Sequence, residues 1–442
     1  KIINTKKQKI RINPKKKNNI NNLYRQIYKK KQKKQLSLNN SYNYLLNNSQ
    51  NRNDFMMSQK RSIIEIQKPQ ALPTIIKDQQ IQEFQQKYID NQNYTQQIHK
   101  DGSTYIGQMQ NNLRNGKGVN IFQNGDKYFG DWKMDYMDGE GLYLFKNEDV
   151  YQGQLKNGHI NGQGIYNYAN GNIYKGNWEN NMKNGFGQYS YFQTGEKYEG
   201  EWKNGERYGK GTYYYQFDEK YEGQWENGIK NGKGILTYSS GAKYDGQWKQ
   251  DKANGRGIMY YANNDKYDGE WLNGSKHGQG IYFFRDGSKY EGNWINDYKN
   301  GTGIHMYING DRYQGDFKYG QKSGKGIYFF ANGDKYEGDW LNDRRQGFGN
   351  LYMSNGDQYQ GEWKEGDKGG QGVYQFVSGD KYEGQWLYGK RHGKGIYSWI
   401  NGEKYIGEWV NDKMNGQGEF IKSNGIVHHC EFRDDIVLGI IQ

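Results

Sequence analysis

The sequence predicts an all-β repeat protein: an elongated, single-layer antiparallel β-meander of about 14 hairpins, preceded by an extended and partly helical N-terminal tail. A Tyr-x-Gly-x-Trp phrase or a close variant recurs 14 times in the 442 residues, and a Gly-x-Gly phrase follows each copy. Only 33% of the residues are hydrophobic. Because so little Leu, Ile and Val cannot fill one conventional core, the packing is expected to be aromatic and repeated.

The tyrosines that open the repeats lie 23 residues apart, with a single 24-residue step between Tyr174 and Tyr198. Because repeat units contact only their neighbours, the length of such an array reflects the number of its units. We therefore divide the chain into a tail at residues 1–100, an array at residues 101–435 and a C-terminal end at residues 436–442. The opening tyrosines are Tyr105, Tyr128, Tyr151, Tyr174, Tyr198, Tyr221, Tyr244, Tyr267, Tyr290, Tyr313, Tyr336, Tyr359, Tyr382 and Tyr405.

The repeat unit has one aromatic and one charged face. Side chains alternate across a strand, so Tyr221, Gly223 and Trp225 share one side, and Lys220 and Glu222 lie on the other. Glycine weakens a strand unless the space is needed, so we expect a neighbouring Trp or Tyr ring to lie across the bare backbone. The residues predicted to pack in this way are Tyr221, Gly223, Trp225, Gly232, Gly234, Tyr244, Gly246 and Trp248.

Asn-Gly pairs mark the points where the chain reverses. Both residue types tolerate the positive φ that tight hairpin turns need, so each repeat is predicted to be one hairpin. On the charged face, a base before the tyrosine and an acid after it are expected to pair across strands. The Asn-Gly pairs include Asn124-Gly125, Asn170-Gly171, Asn227-Gly228, Asn332-Gly333 and Asn401-Gly402.

The many glycines raise the question of a phosphate-binding loop. Such a loop needs Gly-x-x-x-x-Gly-Lys followed by Ser or Thr at the start of a helix, and the nearest approach, residues 205–212, has the wrong spacing. A metal site at His428, His429 and Cys430 is disfavoured, because adjacent strand residues point to opposite faces. We therefore predict no catalytic residue, no cofactor and no metal.

The unit Tyr-x-Gly-x-Trp-x-x-Gly-x-x-x-Gly-x-Gly closely resembles the MORN repeat (membrane occupation and recognition nexus) over residues 101 to about 435. Met109, Leu155 and Phe317 stand where the repeat has Trp, and residues 428–432 form a degraded last unit. The resemblance implies a scaffold, since the family includes radial-spoke head components, junctophilins and basal-complex proteins of protist parasites. Where such repeats accompany a lipid kinase or methyltransferase, catalysis lies in an appended domain. Only 24 residues follow Gly418, so no enzyme is expected.

The positive charge is concentrated in the tail. Residues 1–100 contain 21 Lys or Arg and five Asp or Glu, whereas the rest of the chain contains 41 and 44. Residues 1–34 hold 14 bases and no acid, which marks an arm suited to an acidic protein surface or another polyanion. Helices are predicted near residues 21–37 and 75–90, the second because Ile81, Phe84 and Tyr88 line one helical face. The arm residues are Lys15, Lys16, Lys17, Lys29, Lys30, Lys31, Lys33 and Lys34.

These patterns favour a non-enzymatic structural scaffold of the ciliary axoneme, most like a radial-spoke head subunit, that docks other axonemal or radial-spoke proteins in a large assembly. The Asn, Gln, Lys and Ile bias is typical of AT-rich genomes, ciliates among them. The lone Cys430 and the lack of a secretory or membrane-spanning apolar run predict a soluble, cytoplasmic chain. The alternative is a membrane-apposed tether whose basic arm binds anionic phospholipids. Nucleic-acid binding by the arm and other cytoskeletal scaffolding are lesser alternatives.

Overall fold

The computed structural model describes Glu83, Gln86 and residues 94–441, all within one compact unit, Ala71–Gln442. The predicted all-β meander is confirmed: one open antiparallel sheet contains 31 strands, and each strand pairs with its neighbours in chain order. The strands β1 to β31 are, in order, Thr95–Ile98, Thr104–Gln110, Leu113–Ile121, Lys127–Lys133, Tyr136–Leu144, Val150–Lys156, His159–Asn167, Ile173–Glu179, Met182–Ser190, Lys197–Lys203, Glu206–Tyr214, Lys220–Glu226, Ile229–Thr237, Lys243–Lys249, Lys252–Tyr260, Lys266–Leu272, Ser275–Phe283, Lys289–Ile295, Tyr298–Met306, Arg312–Lys318, Gln321–Phe329, Lys335–Leu341, Arg344–Tyr352, Gln358–Lys364, Asp367–Gln375, Lys381–Leu387, Lys390–Ser398, Lys404–Val410, Lys413–Ile421, Val427–Arg433 and Ile436–Ile441.

The turn within each hairpin has two residues. Between β12 and β13, Asn227 and Gly228 have φ values of 49° and 80°, and Glu226 pairs directly with Ile229. Two positive φ angles in a two-residue loop define a type I′ turn, whose twist matches that of the flanking strands. The predicted role of this Asn-Gly pair is confirmed.

The turn between hairpins is wider, and the prediction was wrong for its asparagines. In Asn124-Gly125 only the glycine has positive φ, 97°. The Asn124 side-chain oxygen instead accepts a hydrogen bond from the Asp126 N–H at 3.0 Å. This turn therefore uses asparagine for its side-chain acceptor and glycine for its backbone freedom. Asn170, Asn332 and Asn401 accept the equivalent bond.

The single 24-residue step is absorbed in one of these wider turns. Between β9 and β10 the loop covers residues 191–196, whereas the loop between β13 and β14 covers only residues 238–242. Gly195 N–H donates to the Tyr191 carbonyl at 2.9 Å and closes the longer loop. The strands on both sides keep their register, because the extra residue stays outside the sheet.

The strand glycines form one continuous row across the array. Gly223 lies opposite Gly234 in β13, and Gly234 lies opposite Gly246 in β14. Beyond this row the register shifts between Gly223 and Trp225, so β13 bulges at Gly232, where φ is 81°. The bulged backbone is held by the Gln224 side chain, which accepts a hydrogen bond from Lys233 N–H at 2.7 Å.

The sheet extends beyond residues 101–435 at both ends. β1 pairs with β2 before the first repeat, and β31 pairs with β30 after the degraded unit. Glu83 and Gln86 are helical, within the range predicted for the second tail helix. The predicted helix at residues 21–37 and the rest of the range 75–90 lie outside the described residues.

Candidate interaction surfaces

Each opening tyrosine fills a space made by glycines of its own hairpin. Tyr221 is fully buried, and its hydroxyl donates a hydrogen bond to the Gln224 carbonyl at 3.0 Å. A Cβ atom at Gly223 would lie 2.5 Å from the Tyr221 Oη, and one at Gly234 would lie 2.3 Å from it. Only glycine at both positions leaves room for the ring.

Each tryptophan joins two repeats. The ring of Trp225 meets Tyr221 edge-on at 5.2 Å and the preceding repeat's Tyr198 at 5.3 Å. Its Nε1 donates to the Gly211 carbonyl at 3.1 Å. The same geometry recurs in the next repeat, where the Trp248 ring centre lies 5.1 Å from that of Tyr244 and 5.2 Å from that of Tyr221. The aromatic residues therefore form a chain of edge-to-face contacts along one face, interrupted where Leu155 replaces the tryptophan.

Cations cover this aromatic row. The side chain nine residues after the opening tyrosine lies over the next repeat's aromatic ring; Arg207 Cζ, for example, is 4.4 Å from the Trp225 ring centre. Sequence reasoning missed this row, although the signal was present: Lys230 keeps the alternation of Gly232 and Gly234 and lies opposite Trp225. Burial lowers the pKa of Lys183, Lys299 and Lys368 to about 8. The row comprises Arg114, Lys183, Arg207, Lys230, Lys276, Lys299, Lys322, Arg345, Lys368 and Arg391.

A carboxylate at the wider turn ties successive repeats together. Asp357 Oδ2 accepts a hydrogen bond from the Tyr374 hydroxyl at 2.8 Å, and its Oδ1 accepts one from Val377 N–H at 2.8 Å. At the equivalent Asp334, the backbone hydrogen bond from Ser354 lowers the pKa of the carboxyl group, against the opposing effect of burial. These acids are structural and do not form a free anionic surface.

The opposite face carries alternating charged and aliphatic side chains. Lys220 Nζ lies 2.7 Å from Glu222 Oε2, so this ion pair forms along one strand. The expected pairing across strands was therefore wrong for these residues. The reason is the register: Glu222 lies opposite Ile235, and Ile235 lies opposite Asp245. A shallow groove of about 800 Å³ crosses this face over β17–β23, lined in part by Glu291, Ile304, Ile327 and Glu337.

The sequence of the array matches one family model in fourteen consecutive copies. The model is that of the MORN repeat. The chain belongs to the MORN-repeat family. The matched copies cover residues 105–127, 128–150, 151–173, 174–193, 198–216, 221–243, 244–266, 267–289, 290–312, 313–335, 336–358, 359–381, 382–404 and 405–427.

A comparison with the curated proteins gives no significant match. Among solved structures, the TCP domain of Drosophila melanogaster SAS-4 (dCPAP) in complex with a proline-rich motif of Ana2 is 13% identical, covering 35% of this chain and 85% of that one, with a TM-score of 0.24. The TCP10 domain of Danio rerio CPAP is 11% identical over 52% and 98%, with a TM-score of 0.22. The inactive virginiamycin B lyase of Staphylococcus aureus is 11% identical over 70% and 94%, with a TM-score of 0.11. Similarities this low support no functional conclusion.

The MORN units that depart from the pattern still pack. Phe317 keeps both ring contacts, at 5.1 Å to Tyr313 and 5.0 Å to Tyr290, and Leu155 is 4% exposed. In the degraded last unit, Cys430 lies opposite Gly418 and is buried. These departures change local contacts and leave the MORN sheet continuous.

Three further findings concern sites outside the MORN packing. No group of three His, Cys, Asp or Glu side chains among the described residues is arranged to hold a metal ion. Within the same part of the chain, no helix has the length and apolar character needed to span a membrane. The eight lysines of the basic arm lie outside the described residues.

Arginines 344 and 345 of the MORN array offer a matched test of the cation row. Arg345 Cζ lies 4.1 Å from the Trp363 ring centre, and its Nη2 donates to the Gly366 carbonyl at 2.7 Å, whereas Arg344 forms an exposed ion pair with Glu365. We expect Arg345→Ala to lower the free energy of unfolding by about 1–2 kcal/mol. Arg344→Ala should change it by less than about 0.5 kcal/mol. Urea unfolding monitored by Trp fluorescence measures both, and equal effects would contradict a stabilising cation row.

Proposed function

We propose that this chain is a non-enzymatic structural scaffold of the ciliary axoneme, most like a radial-spoke head subunit, and that it docks other proteins along its sheet. The observation that carries this proposal is the unbroken 31-stranded sheet, whose opening tyrosines and repeat tryptophans are used for internal packing. Equivalent positions on the opposite face recur every second strand, about 10 Å apart. Such a surface suits protein partners that are themselves held at fixed positions in an assembly.

Exposed apolar side chains beside the tight turns support protein docking. Ile295 and Tyr298 lie directly opposite each other in β18 and β19, exposed by 45% and 55%. Tyr319, 69% exposed, lies 6.4 Å from Tyr298 between ring centres, and the exposed Leu272 and Leu341 occupy the position equivalent to Ile295 in β16 and β22. Contiguous exposed apolar surface is typical of contact sites for other proteins. The basic arm would reach an acidic neighbour, and the tubulin-rich axoneme is acidic.

Fractionation of cilia tests the proposal. The protein should stay with axonemes that have been stripped with detergent and washed with salt, and it should be missing from spoke-deficient axonemes. Release into the detergent fraction would contradict the scaffold and favour the membrane tether. Flotation with anionic vesicles at moderate salt distinguishes the scaffold from the membrane tether. The full chain is compared with a variant in which five arm lysines are changed to Gln: Lys29, Lys30, Lys31, Lys33 and Lys34. If the chain is a tether, the full chain should float with the vesicles and the variant should not.

A further inference from the structure

The opposite face is covered at the first repeats. Val119 and Phe129 lie directly opposite each other in β3 and β4 and are 3% and 4% exposed. Ile396 and Ile406 occupy the same register positions in β27 and β28, yet they are 37% and 36% exposed. Both pairs are apolar and sit in the same sheet geometry. The tenfold difference in exposure therefore requires a layer of chain over the first pair.

The covered area crosses several strands. Leu142 in β5, 1% exposed, completes a cluster with Val119 and Phe129, and Leu144 and Val150 pack against that cluster. The burial continues through β7, β8 and β9, where directly paired residues of this face are 6–9% exposed. From β3 to β9 the distance is about 29 Å, six strand spacings. Every described strand belongs to the one sheet, so none supplies a second layer here. The paired residues in β7–β9 are Asn167, Ile173 and Ser190.

We propose that residues 75–90 of this chain lie across β3–β9 as an amphipathic helix. A helix of this length spans about 24 Å, close to the extent of the covered area. Its apolar stripe is Ile81, Phe84 and Tyr88, whose placement lies outside the described residues. Glu83 and Gln86 are helical and exposed, and on a helical projection they fall on the side away from that stripe.

The chain path selects this segment as the occupant. Residue 90 precedes the start of β1 at Thr95 by five residues, which span at most about 18 Å. The end of the segment must therefore lie near the first strands. The basic arm fits an apolar patch poorly, since residues 1–34 carry 14 bases and no acid. A docked segment would cap the first repeats, as terminal repeats of open arrays require.

Hydrogen exchange on the full chain tests the proposal, with matched substitutions at the two equivalent positions. In the native chain, amides of residues 75–90 should exchange at least about tenfold more slowly than an unstructured segment. Phe129→Asp should remove this protection, and Ile406→Asp should leave it intact. Exchange at the unstructured rate in the native chain, or protection that survives Phe129→Asp, would overturn the proposal.

Two further readouts keep the result decisive. If Phe129→Asp also unfolds β4, the variant Phe84→Asp replaces it, because it leaves the sheet sequence unchanged. Loss of protection in residues 75–90 with β4 still protected supports the docked segment, and retained protection overturns it. The experiment is repeated over a range of protein concentrations. Protection that appears only at high concentration would assign the cover to a second copy and would also overturn the proposal.

Discussion

Replacing Gly223 with valine is expected to unfold the hairpin formed by β12 and β13. A Cβ atom at this position would lie 2.5 Å from both the Gly234 Cα and the Tyr221 Oη. The first contact is with backbone, so a side-chain rotation cannot relieve it. Overpacking a tight site typically costs about 1–3 kcal/mol and sometimes more, and displacing the Tyr221 ring adds to that cost. We expect at least about 3 kcal/mol of local destabilisation.

The neighbouring Glu222→Gln is the matched control for this substitution. It removes one half of an ion pair whose two side chains are 41% and 46% exposed, so the expected change is below about 1 kcal/mol. Limited proteolysis followed by mass spectrometry locates any opening of the array. Gly223→Val should create new cleavage within residues 220–237, and Glu222→Gln should not. Equally small effects of both variants would show that a side chain can be accommodated at Gly223, and would contradict the proposed role of the glycine row.

Alkaline pH is expected to unfold the array steeply above pH 10. Burial raises the pKa of Tyr221 and of the equivalent tyrosines above the ordinary value of 10.0. An unfolded tyrosine loses its proton near pH 10, whereas the buried one keeps it, so the folded state binds more protons and stability falls as pH rises. The loss reaches up to about 1.4 kcal/mol per tyrosine at pH 11. The pKa is raised in 13 of the opening tyrosines, so even part of this loss in each exceeds the stability of a typical domain.

The half-buried lysines of the cation row make the predicted profile distinctive. Lys183, Lys299 and Lys368 have a pKa lowered to about 8, so between pH 8 and their ordinary value of 10.5 the unfolded state binds more protons. In that window their contribution to stability rises with pH, opposite in sign to that of the tyrosines. Urea midpoints between pH 7 and 11 should therefore hold or rise slightly before falling steeply. A gradual decline beginning at pH 8 would contradict the pKa shifts assigned to the buried tyrosines and the half-buried lysines.

Residue patterns were sufficient to predict the sheet. The 23-residue spacing fixed the number of hairpins, and alternation placed Tyr221 and Trp225 on one face, where both are buried. The pair Asn227-Gly228 marked a tight turn, because both residue types tolerate the positive φ that such a turn needs. These features depend on local rules that hold in any antiparallel strand pair.

The features that could not be predicted depend on register. Which ring covers Gly234 follows from its pairing with Gly223, and the bulge at Gly232 shifts every later side chain in the strand relative to its partner. Alternation gives the face of Lys230 but not its position opposite Trp225, so sequence reasoning missed the cations that lie nine residues after ten of the opening tyrosines. It also paired Lys220 with a neighbouring strand, although Ile235 occupies the position opposite Glu222.

The central claim is that the tyrosine ring occupies a space which glycine leaves open, and a double-mutant cycle of Tyr221→Leu with Gly234→Ala measures it most directly. A Cβ atom at Gly234 would meet the phenol end of Tyr221 at 2.3–2.6 Å, and leucine does not extend that far. We predict that Gly234→Ala lowers the free energy of unfolding by about 2 kcal/mol or more beside Tyr221 and by less than about 0.5 kcal/mol beside leucine. Gly241→Ala, at a turn position with no atom within 4 Å of the added Cβ, should cost the same in both backgrounds. An additive result for Gly234→Ala would contradict the account.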